Sequence, residues 1–269
     1  MQSDRQPDWE QIRREFPALA GCTYLNTATF GQTPRRGVEA VARHFERRNA
    51  HACSDFLDWF NDVDRMRASV ASLIHAQPED IAFVNTASAA LALLMNGLEW
   101  RKGDRILALA GEFPNNLYFP AALSVLGVEF VETERDQIES LLDERVRLVL
   151  MSTVNYATGF RPPLEPLAAK LRDLGALFYV DGTQSVGALQ FDVRTVQPDM
   201  LAVHAYKWML SPNGAAFAYV APHLRESLRP TVVGWRSDRG WRNVDHLHHG
   251  SPDFADGAEK YEGGMVNFP

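Results

Sequence analysis

The chain has 269 residues, 46% hydrophobic and 23% charged, which suits one large globular domain or a domain with a smaller appendage. Its 27 basic and 34 acidic residues give a formal charge of −7 spread without blocks, an argument against nucleic-acid or anionic-membrane partners. No stretch nears the roughly 20 apolar residues of a membrane span, the N-terminus lacks a signal-peptide pattern, and Cys22 and Cys53 have no metal-like spacing, so a cytoplasmic protein with free thiols is expected.

In chain order, residues 8–16 read as a short amphipathic helix within an N-terminal arm over 1–20. TYLNTATFG reads as a short strand and turn, and Arg35 to His75 as two helices interrupted near Ala52 to Ser54. From Ile81 onward short apolar runs alternate with helical ones. IAFV precedes a helix from Ser88, and RILALA precedes a helix near Leu117 to Leu126. VEFVE and RLVLMS follow, then a helix from Leu164 to Leu174, then ALFYV, MLAV and AAFAYV. Such alternation predicts an α/β fold, a mostly parallel sheet with helices on both faces, in a large domain spanning 21–235. The tail over 236–269 is rich in Gly, His, Asp and Trp, lacks periodicity, and reads as an open loop leading to a further small domain.

In an open α/β sheet the ligand sits beyond the carboxyl ends of the strands. IAFV is followed by NTASAA, where Ala87 and Ser88 open a helix able to hold a phosphate, although small residues there are commonly a plain cap. RILALA is followed by GEFPNN, which sets Phe113 against a planar ligand or in the core. RLVLMS leads to TVNYATG and Asn155, a polar contact or a turn former. ALFYV leads to DGTQSVG, in which Asp181 leaves a very apolar strand and needs a cationic or hydrogen-bonding partner. A pyridoxal 5′-phosphate ring nitrogen would supply one; a helix cap or a metal would serve as well. Lys207 lies inside the apolar, aromatic run MLAVHAYKWML, where burial would depress its pKa and leave a nucleophilic amine. Asn155, Asp181 and Lys207 stand 26 residues apart in turn, one strand-helix-strand step each.

VDGTQSVG and AYKWML, with GEFPNNLYFP, VNYATGFRPP and YEGGMVNFP in the same order, resemble the class V aminotransferase family of pyridoxal phosphate enzymes. These include cysteine desulfurases, selenocysteine lyases, kynureninase and isopenicillin N epimerase. The resemblance covers nearly the whole chain and implies a seven-stranded cofactor domain, a homodimer and an amino-acid substrate. It assigns Lys207 to a Schiff base with the cofactor and to proton transfer at the substrate α-carbon. Asp181 pairs with the ring nitrogen, Gln184 contacts the ring hydroxyl, Phe113 stacks on the ring, and Ala87, Ser88 and His204 serve the phosphate. Tyr206 stands where desulfurases usually carry a histidine, Met265 where relatives have a threonine that reaches the partner subunit's phosphate, and Trp235 at the site entrance. Relatives continue for roughly another hundred residues, so transamination, elimination, epimerisation and desulfuration stay open, as does a cofactor-binding protein without turnover.

HLHHG over 246–250 lacks a paired Cys or carboxylate at metal-ligand spacing. No GxGxxG follows a strand, and Ser88, His204 and Asp181 lack the GxSxG elbow of a hydrolase triad.

Overall fold

The computed structural model describes residues 6–268, so the first five residues of the expected arm and Pro269 lie outside it. Helix α1 (Trp9–Arg14) is capped by Asp8, whose carboxylate accepts from the Gln11 N–H at 2.9 Å. Helix α2 (Arg35–Ala50) buries none of its residues. Ala52 and Cys53, both left-handed at φ 49° and 60°, break it from α3 (Phe56–Ile74) where the sequence placed the interruption. Along α3, Trp59, Phe60, Val63, Val70, Ala71 and Ile74 recur at helical spacing and face the core.

The strands are β1 (Ile81–Val84), β2 (Arg105–Leu109), β3 (Glu129–Thr133), β4 (Val146–Ser152), β5 (Leu177–Asp181), β6 (Met200–His204) and β7 (Ala216–Val220). They form one sheet in the order β1-β7-β6-β5-β4-β2-β3. Only β7 runs against its neighbours, pairing antiparallel with β1 and β6, so the other six strands end at one edge. Every residue of β2 and β7 is buried. Because successive side chains point to opposite faces, both faces of the sheet must be covered. The helices α4 (Ala87–Gly97), α5 (Asn115–Ala122), α6 (Leu164–Leu174), α7 (Val193–Val196) and α8 (Pro222–Ser227) supply the cover.

Three expectations are corrected. No strand forms at TYLNTATFG; the Tyr24 hydroxyl donates to the carbonyls of Asn26 (3.0 Å) and Phe30 (2.6 Å), closing a local turn. The helix expected at Leu117 to Leu126 begins at Asn115 and tightens to a 3-10 turn over Leu123–Leu126, with Pro120 withholding one N–H donor. The tail is irregular but not open. It makes 3-10 turns at Trp235–Ser237, Val244–His246 and Ala258–Tyr261, and Trp241, Ala258 and Tyr261 are buried. It is anchored by Glu262, whose side chain is wholly buried: Oε1 accepts from Arg67 Nη1 at 2.6 Å and from the Phe83 N–H of β1 at 2.8 Å, while Arg236 Nη2 lies 2.8 Å from Oε2.

Candidate functional site

One cleft at the carboxyl edge of the sheet collects Ala87, Ser88, Phe113, Asp181, Gln184, His204 and Lys207. The reason is topological: the residues that follow β1, β2, β5 and β6 all emerge on the same edge. A larger cavity of about 670 Å³ lies between α2, α3, α4 and the tail, lined by side chains such as Trp59, Val63, Leu93 and Phe268. Of the residues singled out in the sequence only Met265 lines it, and none of those assigned to the cofactor, so size does not mark the chemistry here.

Lys207 is 8% exposed. Burial pushes its ammonium below the ordinary lysine value, and the Asp181 charge pulls part of the way back. Its Nζ stands 5.6 Å from the Phe113 ring and 5.7 Å from the Tyr206 ring, the aromatic walls of the cleft. The loop carrying it is held tightly: the Gly31 N–H donates to the Tyr206 carbonyl at 2.8 Å, and a Cβ on Gly31 would stand 2.0 Å from the Lys207 carbonyl oxygen. That approach permits only glycine.

Asp181, the last residue of β5, is 6% exposed, and its Oδ1 accepts from the Thr183 N–H at 2.9 Å. Asn116, fully buried on α5, brings Nδ2 within 3.5 Å of Asp181 Oδ2. His204, at the end of β6, is half-buried with its ring edge-on to Tyr206 at 4.4 Å. Burial and the nearby Lys207 lower its pKa, Asp181 opposes them, and the net shift favours the neutral imidazole at pH 7.

Ala87 is buried and Ser88 exposed at the first turn of α4, whose cap is Thr86: its Oγ1 accepts from the Ala89 N–H at 3.0 Å. The N–H groups of Ala87 and Ser88 therefore head an eleven-residue helix without intrahelical acceptors. Phe113 is 42% exposed and meets Tyr156 edge-on at 5.3 Å, leaving a ring face toward the cleft space. Gln184 lines the cleft, but its amide is engaged, Nε2 donating to the Ala28 carbonyl and Oε1 accepting from Trp208 Nε1, both at 3.0 Å.

Asn155 is not brought into the lining. Its Nδ2 donates to the Gly111 carbonyl at 2.8 Å, and its Oδ1 accepts from the N–H groups of Ala157 and Thr158, which makes it a turn former. Trp235 packs on Phe60 and Trp241, away from the cleft, and Met265 lines the larger cavity. Sequence reasoning missed Glu112, which is 3% exposed one residue before Phe113. Burial raises its proton affinity and the nearby Asp181 adds to that, while donors from Ser152 and Asn116 oppose it. An acid just beyond a wholly apolar strand was the available signal, the same one that marks Asp181.

A buried amine beside a buried acid, flanked by an aromatic wall and a helix N-terminus, fits a planar aldehyde that carries a ring nitrogen and a phosphate. The model of class-V aminotransferases matches residues 23–268. A probable cysteine desulfurase from Methanothermobacter thermautotrophicus is 30% identical over 237 residues, 84% of this chain and 59% of that protein. The isopenicillin N epimerase of Streptomyces clavuligerus is 28% identical, over 85% of this chain and 61% of the relative. The chain thus spans about 60% of the length of these curated relatives. In fold it is similar to an apo cysteine desulfurase from Thermococcus onnurineus, with a TM-score of 0.85 at 24% identity over 100% of this chain and 68% of that one. By the match that runs through nearly all of its length, the chain belongs to the class-V aminotransferase family.

Proposed function

We propose that this chain, whose family cofactor is pyridoxal 5′-phosphate, holds that cofactor through Lys207 and acts on an amino acid. The observation that carries the reading is the convergence of buried Lys207 and Asp181 on one cleft at the strand ends. When bound, the cofactor supplies an electrophilic aldehyde and a ring that accepts electrons. Lys207, with its lowered pKa, provides the neutral amine needed for covalent attachment and then takes or returns a proton at the substrate α-carbon. Asp181 holds positive charge at the ring nitrogen, and Phe113 covers the ring face. The free N–H groups of Ala87 and Ser88 bind the phosphate at the positive end of α4. His204 donates one neutral N–H nearby, and Gln184 acts through the shape of the wall, its amide being engaged elsewhere.

Residues 21–235 form the cofactor domain in this reading, and the enzyme works as a cytoplasmic homodimer. The absence of any fully buried residue in α2, with Val38 and Phe45 exposed on its surface, supports a covering partner. Transamination, elimination or epimerisation is the reaction class. A cysteine desulfurase or selenocysteine lyase is the second reading, favoured by the names of several relatives. Cys22 and Cys53, both exposed and outside the cleft, offer no sulfur acceptor there.

The test is a visible spectrum of the purified protein after addition of pyridoxal phosphate, then borohydride reduction and peptide mapping. A yellow protein with the reduced adduct on Lys207, and no adduct in Lys207→Ala, supports the reading. An adduct on another lysine, or no uptake, overturns it. Release of sulfide and alanine from cysteine by the loaded protein would select the second reading, and cofactor uptake without α-proton exchange on any amino acid would mark a binding protein without turnover.

A further inference from the structure

Beneath the cleft lies a polar cluster that the proposed chemistry does not use. Glu112, just after β2, is pinned at both oxygens: Oε1 accepts from the Ser152 N–H at 2.8 Å, and Oε2 accepts from the Ser152 hydroxyl and from Asn116 Nδ2 at 3.2 Å. Ser152 is itself paired in register with Asp181 across β4 and β5. The same Asn116 Nδ2 stands 3.4 Å from Ser152 Oγ and 3.5 Å from Asp181 Oδ2. The two ends of an amide are nearly alike in shape, so neighbours decide which way it points. An acceptor such as the Glu112 carboxylate draws the NH₂ group to its side, and that is the side on which Asp181 lies.

We propose that Glu112 is a positioning residue for Asp181: it fixes the Asn116 amide with its N–H groups toward Asp181 Oδ2, and so keeps the proton of the cofactor–Asp181 contact on the ring nitrogen. The inference rests on the pyridoxal phosphate reading above. Asp181 is thereby held at both oxygens, by the Thr183 N–H and by Asn116. With a donor on each oxygen its carboxylate stays a weak base, so the proton stays on the ring. Other titratable groups facing Asp181 are Tyr179 on β5, whose buried hydroxyl has no hydrogen-bond partner among the described residues, His204 on β6, and Tyr206 and Lys207 on the following loop. None of them touches Glu112 or Asn116 by a hydrogen bond. Burial raises the proton affinity of Glu112, so removal of its charge is tolerable to the fold.

Glu112→Gln puts an NH₂ group where Oε2 stood. To meet it Asn116 must turn its oxygen inward, which also sets that oxygen against Asp181. The experiment loads wild type, Glu112→Gln, Asn116→Ala and the double variant with pyridoxal phosphate labelled with ¹⁵N in the ring and records the nitrogen resonance, with cofactor affinity measured alongside. The expected result is a protonated ring nitrogen in the wild type. Both single variants should shift toward the unprotonated position with about tenfold weaker cofactor binding, and the double variant should be no worse than either, as serial links require. A folded Glu112→Gln with an unchanged nitrogen resonance overturns this inference alone. If Glu112→Gln does not fold, an unchanged resonance in Asn116→Ala or Asn116→Ser overturns it equally. A wild-type chain that takes up no cofactor overturns the cofactor reading together with it.

Discussion

Replacing Glu262 with alanine should destabilise the protein by about 4 kcal/mol or more, the expected range for breaking a buried ion pair by removing one partner being about 3–5 kcal/mol. The Glu262 side chain is wholly buried between Arg67, 5% exposed, and Arg236, 1% exposed. Burial alone would lower the pKa of Arg67, but the charge and hydrogen bond of Glu262, with the charges of Glu259 and Asp64, together outweigh it and hold the guanidinium above its usual value. In the variant both guanidinium groups lose the Glu262 charge and keep neutral partners: the Ile81 carbonyl at 2.5 Å and the Phe83 ring at 5.0 Å for Arg67, and the Gly264 carbonyl at 3.2 Å and the Phe60 and Trp241 rings at 4.7 and 4.8 Å for Arg236. The Phe83 N–H would also lose its acceptor, an added cost of about 1–3 kcal/mol that overlaps with the first. Against a total stability of about 5–15 kcal/mol this is a large fraction. At about 2–4 °C per kcal/mol the melting temperature should fall by roughly 10 °C. Thermal and urea unfolding followed by circular dichroism, with the exposed Glu226→Ala as control, measures it. A loss under about 1 kcal/mol would refute the view that this charge cluster anchors the tail.

Three further outcomes follow from the Lys207 loop. Covalent uptake of pyridoxal phosphate should rise with pH through a midpoint below the 10.5 of a free lysine, because burial favours the neutral amine; a stopped-flow pH series with a midpoint at or above 10.5 would contradict this. The same depressed value makes the unfolded chain bind more protons between the two midpoints, so this group's contribution to apo-protein stability should increase with pH in that window. Gly31→Ala should cut adduct formation at least tenfold while leaving most of the fold intact, since the added Cβ must displace the Lys207 carbonyl from 2.0 Å; wild-type rates of uptake would show that the loop yields freely.

The central strands β2, β4 and β7 were legible because they are buried on both faces, which writes them into the sequence as mostly apolar runs. What the runs do not carry is partner choice. That β7 turns back and inserts between β1 and β6 depends on pairings far apart in sequence. Asp181 and Lys207 were readable because each is a charge in an apolar run, an arrangement that needs a reason. Asn155 bears no such contradiction; asparagine in a turn is self-sufficient, and its side chain closes that turn. Glu112 carried the contradiction but stood beside Phe113, and a single exposed aromatic drew the inference that belonged equally to the acid. The burial of the tail was hidden because Arg236 and Glu262 read as solvent-seeking residues, and only their mutual neutralisation lets them go inside.

The placement of β7 also sets a timetable for synthesis. Among the described residues β1 has only β7 as a sheet neighbour, and more than a hundred residues separate the two in sequence. At about 5–20 residues per second the ribosome needs roughly ten seconds to deliver the second after the first. Throughout that interval an apolar strand waits without its hydrogen-bonding mate, while the parallel strands from β2 to β6 can already assemble. The nascent chain therefore presents its stickiest edge for longest at its oldest end, which makes β1 the segment on which chaperone dependence and misassembly should concentrate.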